Sequence, residues 1–198
     1  VALTVGGAVI FRITEDMPWI GALFNSVTAR TAGFSTYSLG EFSNAGLLAM
    51  IFLMFVGASP GSTGGGIKTS TLFALIQGIK TAATNTSGKA FHYSVPHGVF
   101  RKASVIAVMG ISVIAVGTFM LCAFEPDIAI RDALFEMTSA FGTVGLTTGI
   151  TTGLCTASKL TSIVMMYIGR LGPLTIATLW YFTNGDRIKY PDGNIAIG

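Results

Sequence analysis

A four-residue motif occurs twice in this sequence, each time behind an apolar segment that is too short to cross a membrane. Residues 31–34 read Thr-Ala-Gly-Phe, and residues 143–146, which lie 112 positions further on, read Thr-Val-Gly-Leu. Upstream of each motif, residues 22–24 and 133–135 both read Ala-Leu-Phe, at a spacing of 111. A duplication of this length predicts that the chain folds as two similar units in succession.

The composition places both units in a membrane. Hydrophobic residues make up 51% of the 198 residues and charged residues only 11%, whereas a soluble domain carries about 25% charged residues. No acidic residue lies between Glu41 and Glu125, although lysine and arginine both occur in that interval. By the positive-inside tendency, the basic connection at residues 80–102 is cytoplasmic, and the segments that carry Glu15 and Glu125 lie outside.

The lengths of the apolar segments predict an all-α membrane protein. A helix rises 1.5 Å per residue and the hydrocarbon core is about 30 Å thick, so a segment of about 12 residues must enter and leave on the same side. Each unit is therefore predicted to consist of a helix, a re-entrant pore loop and a second helix. The predicted segments are a helix at 1–13, re-entrant helices at 19–30 and 131–141, a broken helix at 44–56 and 67–79, and spans at 103–123 and 158–182.

These segments divide the chain into two pore repeats, at residues 1–79 and 103–182. The basic connection at 80–102 joins them, and a cytoplasmic tail follows at 183–198. The apolar run at the start lacks the basic residues that open a signal peptide. We therefore expect the chain to begin inside a spanning helix and to be part of a longer protein.

Both copies of the motif have the composition of a loop that binds a dehydrated cation. Non-helical backbone at membrane depth is tolerated only where it lines water or is buried in protein, and carbonyl oxygens in a pore can replace the water around a cation. Glycine at the third position suits such a loop because glycine readily takes positive φ angles. We predict an ion-binding filter made of the backbone carbonyls of two filter loops: Thr31, Ala32, Gly33 and Phe34, and Thr143, Val144, Gly145 and Leu146.

Two further stretches complete a resemblance to a known family. Residues 57–69 read Gly-Ala-Ser-Pro-Gly-Ser-Thr-Gly-Gly-Gly-Ile-Lys-Thr, and residues 169–173 read Gly-Arg-Leu-Gly-Pro. Together with the filter loops they resemble the Trk/Ktr/HKT superfamily of potassium transporters, and within it the Ktr branch. That family strings four potassium-channel-like pore repeats in one chain, so the resemblance implies that this sequence covers the third and fourth. Phe34 and Leu146 stand where the channel signature has tyrosine, which implies fewer potassium sites and looser selectivity.

The glycine-rich loop, residues 57–66, allows two interpretations. Gly61 to Lys68 comes close to a phosphate-binding loop, but Ile67 separates the last glycine from the lysine. Unwound backbone between two half-helices near the membrane midplane is instead typical of transporters. By resemblance this loop is the intramembrane gate below the filter, and the predicted gate residues are Gly61, Ser62, Thr63, Gly64, Gly65, Gly66 and Arg170.

Arg170 is a charged residue that the sequence places at membrane depth. It matches Ala58 at the spacing of 112 and therefore lies level with the glycine-rich loop. A central arginine costs about 2.5 to 3.5 kcal/mol on insertion scales, so we expect its side chain to face the pore or carbonyl oxygens. Two roles stay open: an electrostatic barrier that restricts cation flow, and an anchor that satisfies loop carbonyls.

The remaining polar residues give weaker indications. Glu136 lies in the second re-entrant helix at the position that matches Asn25, and it either accepts backbone hydrogen bonds or faces outer water. Cys122 and Cys155 fall near the outer face, where we expect two free thiols rather than a disulfide. The sequence contains no paired nucleophile and base and no cluster of metal ligands, so we predict that the protein is not an enzyme.

The resemblance also implies a function and partners. It implies potassium uptake across a bacterial cell membrane, with K⁺ held by the filter carbonyls and with stimulation by Na⁺. It further implies a multi-pass homodimer in the lipid bilayer and a cytosolic regulatory ring that binds the nucleotide, while this chain itself binds neither nucleotide nor nucleic acid. Two alternatives remain: a broken-helix secondary transporter of another cation or solute, and a nucleotide-binding protein that uses residues 61–69.

Overall fold

Helices are the main structural element of the described residues. The structure is a computed structural model, and it describes residues 1–84, 89–90, 93–94, 97–172 and 175. The helices of these ranges are α1 (Ala2–Thr14), α2 (Trp19–Thr28), α3 (Asn44–Phe55), α4 (Thr69–Thr84), α5 (His97–Phe124), α6 (Ile130–Gly142) and α7 (Thr156–Leu171). The fold class is therefore all-α, as the sequence predicts.

Two 3-10 turns and two short strands were not predicted. Single 3-10 turns at Leu39–Glu41 and Thr151–Gly153 precede α3 and α7, so the two units also share this detail. The strands β1 (Lys89–Ala90) and β2 (Tyr93–Ser94) form a two-residue antiparallel pair in the basic connection. Strands this short carry too few residues for a period of two to be read from the sequence.

In each unit the first helix packs on the two helices that follow it, and in the second unit α6 also packs on α7. In the first unit α1 packs on α2 and α3, and in the second unit α5 packs on α6 and α7. The units meet where α3 packs against α6 and where α4 packs against α5. Each unit is thus a helix, a short inserted helix with a loop, and a second helix, which confirms the predicted pseudo-repeat.

Sequence length and composition explain which helices can cross a membrane. Within the described residues, one helix of sufficient length and hydropathy is present, Gly98–Phe124, with 27 residues and a mean hydropathy of 2.5. Two shorter apolar helices, Ala2–Thr14 and Asn44–Phe55, do not reach the necessary length. The short helix α2 has only 10 residues and spans about 15 Å, which is compatible with a segment that enters and leaves on one side.

The predicted boundaries differ from the observed ones mainly around the basic connection. Helix α4 continues to Thr84, and α5 begins at His97 rather than at residue 103. The reason is local, because Arg101 and Lys102 are good helix formers despite their charge. Of the last predicted span, the described helix ends at Leu171, while residues 176–198, including the predicted tail, lie outside the described residues.

A continuous apolar core joins the two units beside the filter loops. Phe11, Met50 and Leu47 of the first unit form one buried cluster with Phe135 and Leu146 of the second. At the neighbouring contact, the rings of Phe55 and Phe141 stack with their centroids 6.2 Å apart. In lipid, such close packing is what holds helices together, because the lipid tails are as apolar as the side chains. The packing therefore fixes how the two units sit against each other.

Candidate functional site

In both units, a backbone hydrogen bond at matching positions joins the end of the helix to the start of the filter loop. The N–H of Ala32 donates to the Thr28 carbonyl at 3.1 Å, and the N–H of Val144 donates to the Ser139 carbonyl at 3.0 Å. These bonds connect matching positions of α2 and α6, and each closes the end of a helix by turning the chain sharply back. The turn is therefore a property of the repeated unit.

Left-handed backbone occurs at the first and third positions of both motifs. Gly33 and Gly145 have φ angles of 80° and 90°, and Thr31 and Thr143 have φ angles of 71° and 52°. The positive φ of the glycines agrees with the sequence prediction. The same conformation at threonine was not predicted, because it is uncommon for a β-branched residue and costs about 1–2 kcal/mol.

This backbone leaves most of the predicted filter carbonyls without an internal partner. Among the described residues, no donor bonds the carbonyl oxygens of residues 31–33 or of residues 143–146. The carbonyl of Phe34 is the exception, since it accepts the Thr28 hydroxyl at 2.5 Å. Most of these residues are exposed or half-buried, so their carbonyl oxygens can accept a polar ligand or water in place of the missing donor. The filter loops thus have free capacity to bind a cation.

The two filter loops touch each other directly. A Cβ atom added to Gly33 would overlap the Val144 carbonyl oxygen. Further out, a Cβ atom on Gly40 would lie 2.9 Å from the Thr148 carbonyl oxygen. Glycine at position 33 is therefore required twice, by its positive φ and by the close approach of the second loop.

The side chains of the two filter loops face different surroundings. Val144 and Leu146 are buried in the core between the units, whereas Phe34, which matches Leu146, exposes 72% of its surface. The first loop thus lacks the packing that covers the second. Phe34 and Leu146 are both large and apolar, so the sequence could not predict that one is exposed and the other buried.

Backbone hydrogen bonds join the two ends of the glycine-rich loop. The N–H of Ile67 donates to the Phe55 carbonyl at 3.0 Å, and the N–H of Thr69 donates to the Ala58 carbonyl at 3.3 Å. Inside the loop, the Lys68 ammonium donates to the Gly64 carbonyl at 2.6 Å. The lysine that a phosphate-binding loop would direct toward a nucleotide is here bonded to the loop's own backbone. This contact disfavours the nucleotide-binding interpretation.

The glycine-rich loop lies against the first residue of both filter loops. The N–H of Gly65 donates to the Thr143 hydroxyl oxygen at 2.9 Å. A Cβ atom on Gly65 would lie 2.8 Å from that same oxygen, and a Cβ atom on Gly64 would lie 2.8 Å from the Thr31 hydroxyl oxygen. Two of the predicted gate glycines are therefore needed because backbone and filter threonines approach too closely for any side chain.

Two arginines donate hydrogen bonds to backbone carbonyls of the glycine-rich loop. Arg170, near the end of α7, donates from Nη1 to the Thr63 carbonyl, which confirms that it faces carbonyl oxygens. Arg30, just before the first filter loop, donates from Nη2 to the Gly57 carbonyl at 3.1 Å. Sequence reasoning missed Arg30, although an arginine between an apolar helix and the motif was a signal that could have been used.

Glu136 matches neither of its two predicted roles. It is buried, with 7% of its surface exposed, and its Oε1 atom accepts the Thr151 hydroxyl at 2.5 Å. The same hydroxyl lies 2.7 Å from the Thr147 hydroxyl oxygen, directly after the second filter loop. The partner is thus a side chain from the returning segment, so neither a backbone contact nor outer water describes it. Asn25, at the matching position, bonds the Gly21 carbonyl at 3.0 Å.

The free thiols lie apart from the filter loops. Cys122 is partly buried in α5, and Cys155 is exposed at the start of α7. Both are unpaired in the structure.

Comparison with known proteins identifies the class of this fold and site. The family model described as TrkH, cation transport protein, matches residues 2–187. The chain therefore belongs to the TrkH family of cation transport proteins. Cation transport, rather than catalysis, is the activity that this family describes, in agreement with the prediction that the protein is not an enzyme.

The relatives with similar sequences include proteins of Ktr systems. The chain is 35% identical over 184 residues to the Ktr system potassium uptake protein B of Bacillus subtilis, which covers 92% of this chain and 41% of the relative. It is 35% identical to the potassium/sodium uptake protein NtpJ of Enterococcus hirae, over 99% of this chain and 48% of that protein. The chain thus spans less than half the length of these curated relatives.

A solved structure shares the fold. The potassium transporter TrkH from Vibrio parahaemolyticus superposes with a TM-score of 0.72 and 21% sequence identity, over 91% of this chain and 42% of that one. The likeness confirms the predicted all-α membrane fold with two potassium-channel-like pore units.

The contact between Gly65 and Thr143 gives a prediction about local stability. Thr143→Val removes the acceptor of the Gly65 N–H, so we expect amide hydrogen exchange in the glycine-rich loop to accelerate by about three- to tenfold, the equivalent of one ordinary hydrogen bond. Hydrogen exchange with mass spectrometry on the full-length protein in detergent measures this rate. Thr143→Ser keeps the hydroxyl and is the matched control, and equal rates in both variants would contradict the contact.

Proposed function

We propose that this chain forms part of a pore for potassium uptake, with the two filter loops as its selectivity filter. The observation that carries the proposal is the pair of adjacent loops in which, among the described residues, no donor bonds the carbonyl oxygens of residues 31–33 and 143–146. A dehydrated K⁺ ion needs several oxygen ligands, and ordered carbonyls can supply them in place of water. The names of the relatives, which describe potassium uptake, support the same conclusion.

The complete filter needs more loops than this chain supplies. Two loops are half of the ring that a four-repeat pore would use, and residues 1–79 and 103–182 would be its third and fourth repeats. The exposed side of Phe34 is where a neighbouring repeat would pack, because a large apolar side chain next to a cation pathway would otherwise face water. The hydrogen bond to its carbonyl removes one ligand from the first loop, which fits a filter with fewer sites than a potassium channel.

The glycine-rich loop, with Arg170, acts as the gate of this pathway. Its backbone contacts the inner residue of each filter loop, so a cation that leaves the filter meets the loop next. The closed position rests on a few hydrogen bonds, each with a net contribution of about 0.5 to 1.5 kcal/mol, or about 1.5 to 3 kcal/mol for those to charged groups. A difference of a few kcal/mol is small enough for a regulatory partner to reverse.

Partners and coupling ions follow the Ktr pattern in this proposal. The protein works as a homodimer in the bacterial cell membrane, and a cytosolic ring that binds the nucleotide docks on the inner face, where the basic connection at 80–102 lies. Sodium is a second candidate cargo or stimulating ion, because one relative is named a potassium/sodium uptake protein. The broken-helix solute transporter is the rival function, and the unbonded carbonyls of the filter loops favour the potassium pore over it.

The filter assignment predicts the effect of replacing a filter glycine. Gly145→Ser forces a side chain onto backbone with φ near 90°, so we expect the apparent affinity for K⁺ to fall about tenfold, in line with about 1–2 kcal/mol of strain. Gly33→Ser adds a clash with the second loop and lowers affinity further. K⁺ and Na⁺ uptake by the full-length protein in proteoliposomes gives both affinities.

A matched control separates this effect from general damage. Gly153→Ser places the same side chain at an outer turn where an added Cβ atom meets nothing within 4 Å, and we expect unchanged affinities. An unaltered K⁺ affinity and K⁺/Na⁺ preference in both filter variants would contradict the filter assignment.

The gate assignment predicts that loss of Arg170 increases flux. Arg170→Ala removes a positive charge and a hydrogen bond to the glycine-rich loop, so the maximal K⁺ flux per protein rises several-fold. Arg12→Ala is the control, since Arg12 pairs with the exposed Asp16 at 3.5 Å. Proteoliposome flux measurements compare the two, and an equal or lower flux for well-folded Arg170→Ala would argue for a purely structural anchor.

A further inference from the structure

A carboxylate binds the start of the helix that follows the first filter loop. Glu15, just after α1, accepts the backbone N–H of Ser43 at 3.1 Å and the Ser43 hydroxyl at 2.6 Å through Oε1. Ser43 is the N-cap of α3, and its hydroxyl oxygen accepts the Gly46 N–H at 3.0 Å. Glu15 thus extends the cap of α3 and connects it to the end of α1.

The second unit has the same connection. Glu125, just after α5, accepts the backbone N–H of Cys155 at 2.6 Å, and the Ser158 hydroxyl lies 3.5 Å from the same oxygen. Cys155 is the N-cap of α7. The Cys155 N–H also lowers the pKa of the Glu125 carboxyl below its ordinary value, so this group is a charged acceptor.

The helix positions that the two carboxylates contact match between the units, although the residue types at those positions differ. Ser43 corresponds to Cys155, and Gly46 corresponds to Ser158, at the spacing of 112. Neither pair shares a residue type, yet the carboxylate and the N-cap N–H are the same in both units. An added Cβ atom on Gly46 would overlap the Glu15 carboxylate, so the helix leaves room for it.

We propose that Glu15 and Glu125 are positioning residues for the two filter loops. Each carboxylate ties the beginning of a re-entrant segment to the beginning of the helix that follows it, and thereby fixes the conformation of the filter loop in between. This inference rests on the proposed function of those loops as a selectivity filter.

The physical argument starts from the path of the chain. A re-entrant segment enters and leaves on one side, so its two connections emerge next to each other at the outer surface. The free N–H groups and partial positive charge at the start of α3 and of α7 attract a carboxylate there, and charge-assisted hydrogen bonds are about twice as strong as neutral ones.

The filter loops need such a restraint because their backbone is strained. Thr31 and Thr143 hold left-handed conformations, which persist only where the surrounding structure determines them. If the outer ends of the segment separate, the threonines can relax and the carbonyls move. Discrimination between K⁺ and Na⁺ then falls, because it depends on the placement of those oxygens.

One substitution can break the second connection without changing charge. Cys155→Pro removes the N–H that Glu125 accepts, and the backbone there already suits proline, with φ of −67° at Cys155 and an extended conformation at Leu154. Glu125→Ala removes the other partner. Glu125→Gln keeps an acceptor oxygen and is the conservative variant, and Glu41→Ala removes an exposed carboxylate for which the described residues provide no hydrogen-bond partner.

The test measures the ratio of the K⁺ and Na⁺ affinities of the full-length protein in proteoliposomes. We expect Cys155→Pro and Glu125→Ala each to lower the K⁺ preference by about three- to tenfold, and the double variant to match the single ones because both remove one interaction. Glu125→Gln retains more of the preference, and Glu41→Ala retains all of it.

Different results would contradict the positioning role and the proposed function. Unchanged ion preference in Cys155→Pro and Glu125→Ala, even with reduced protein yield, would overturn the positioning role and leave the proposed function intact. Additive losses in the double variant would also overturn it, since the two residues would then act separately. A wild-type protein that transports no K⁺ would overturn the proposed function and this inference together.

Discussion

Peptide carbonyls inside a membrane need a partner, and in the filter loops no donor among the described residues satisfies the carbonyls of residues 31–33 and 143–146. Most of the chain follows the usual solution, in which helices satisfy their own backbone. The loops at 31–34 and 143–146 depart from it, and the departure requires strained φ angles at both threonines. Such an arrangement is stable only if the rest of the fold holds the loops and if water or a cation supplies the missing partner.

The surrounding structure is organised around this requirement. Helices α2 and α6 end in the same backbone turn, the apolar core packs Val144 and Leu146 behind the second loop, and Gly33 allows the two loops to touch. On the inner side the glycine-rich loop covers both threonines with backbone alone. On the outer side Glu15 and Glu125 hold the ends of the re-entrant segments. Each contact restrains a neighbour of the free carbonyls and leaves the carbonyls themselves open.

The two arginines explain how charge can stay near a cation pathway. Arg170 and Arg30 each donate to a carbonyl of the glycine-rich loop, so their desolvation is offset by hydrogen bonds rather than by lipid contact. In the proposed pore, their positive charge beside the loop would oppose the passage of cations while the loop is in place. Barrier and anchor would then be two consequences of one contact, so the two roles left open by the sequence are compatible.

Much of the fold could be predicted from the sequence, because the repeat fixes the number of units and segment length fixes which helices are re-entrant. The structure requires glycine at Gly33, Gly64 and Gly65, which are predicted filter and gate residues, because positive φ or a close approach leaves no room for a side chain there. The contacts of Glu15 and Glu125 could not be predicted, because they join residues far apart in the chain and nothing in the local sequence marks them. Glu136 was misjudged for the same reason: its partner Thr151 comes from the returning segment.

The central claim is that the free carbonyls of the filter loops bind the transported cation. Crystals of the full-length protein soaked in Rb⁺ or Tl⁺, which replace K⁺ and scatter anomalously, test it most directly. The account predicts anomalous peaks beside the carbonyl oxygens of residues 31–33 and 143–146. Peaks elsewhere in the protein, with none between the filter loops, would contradict it.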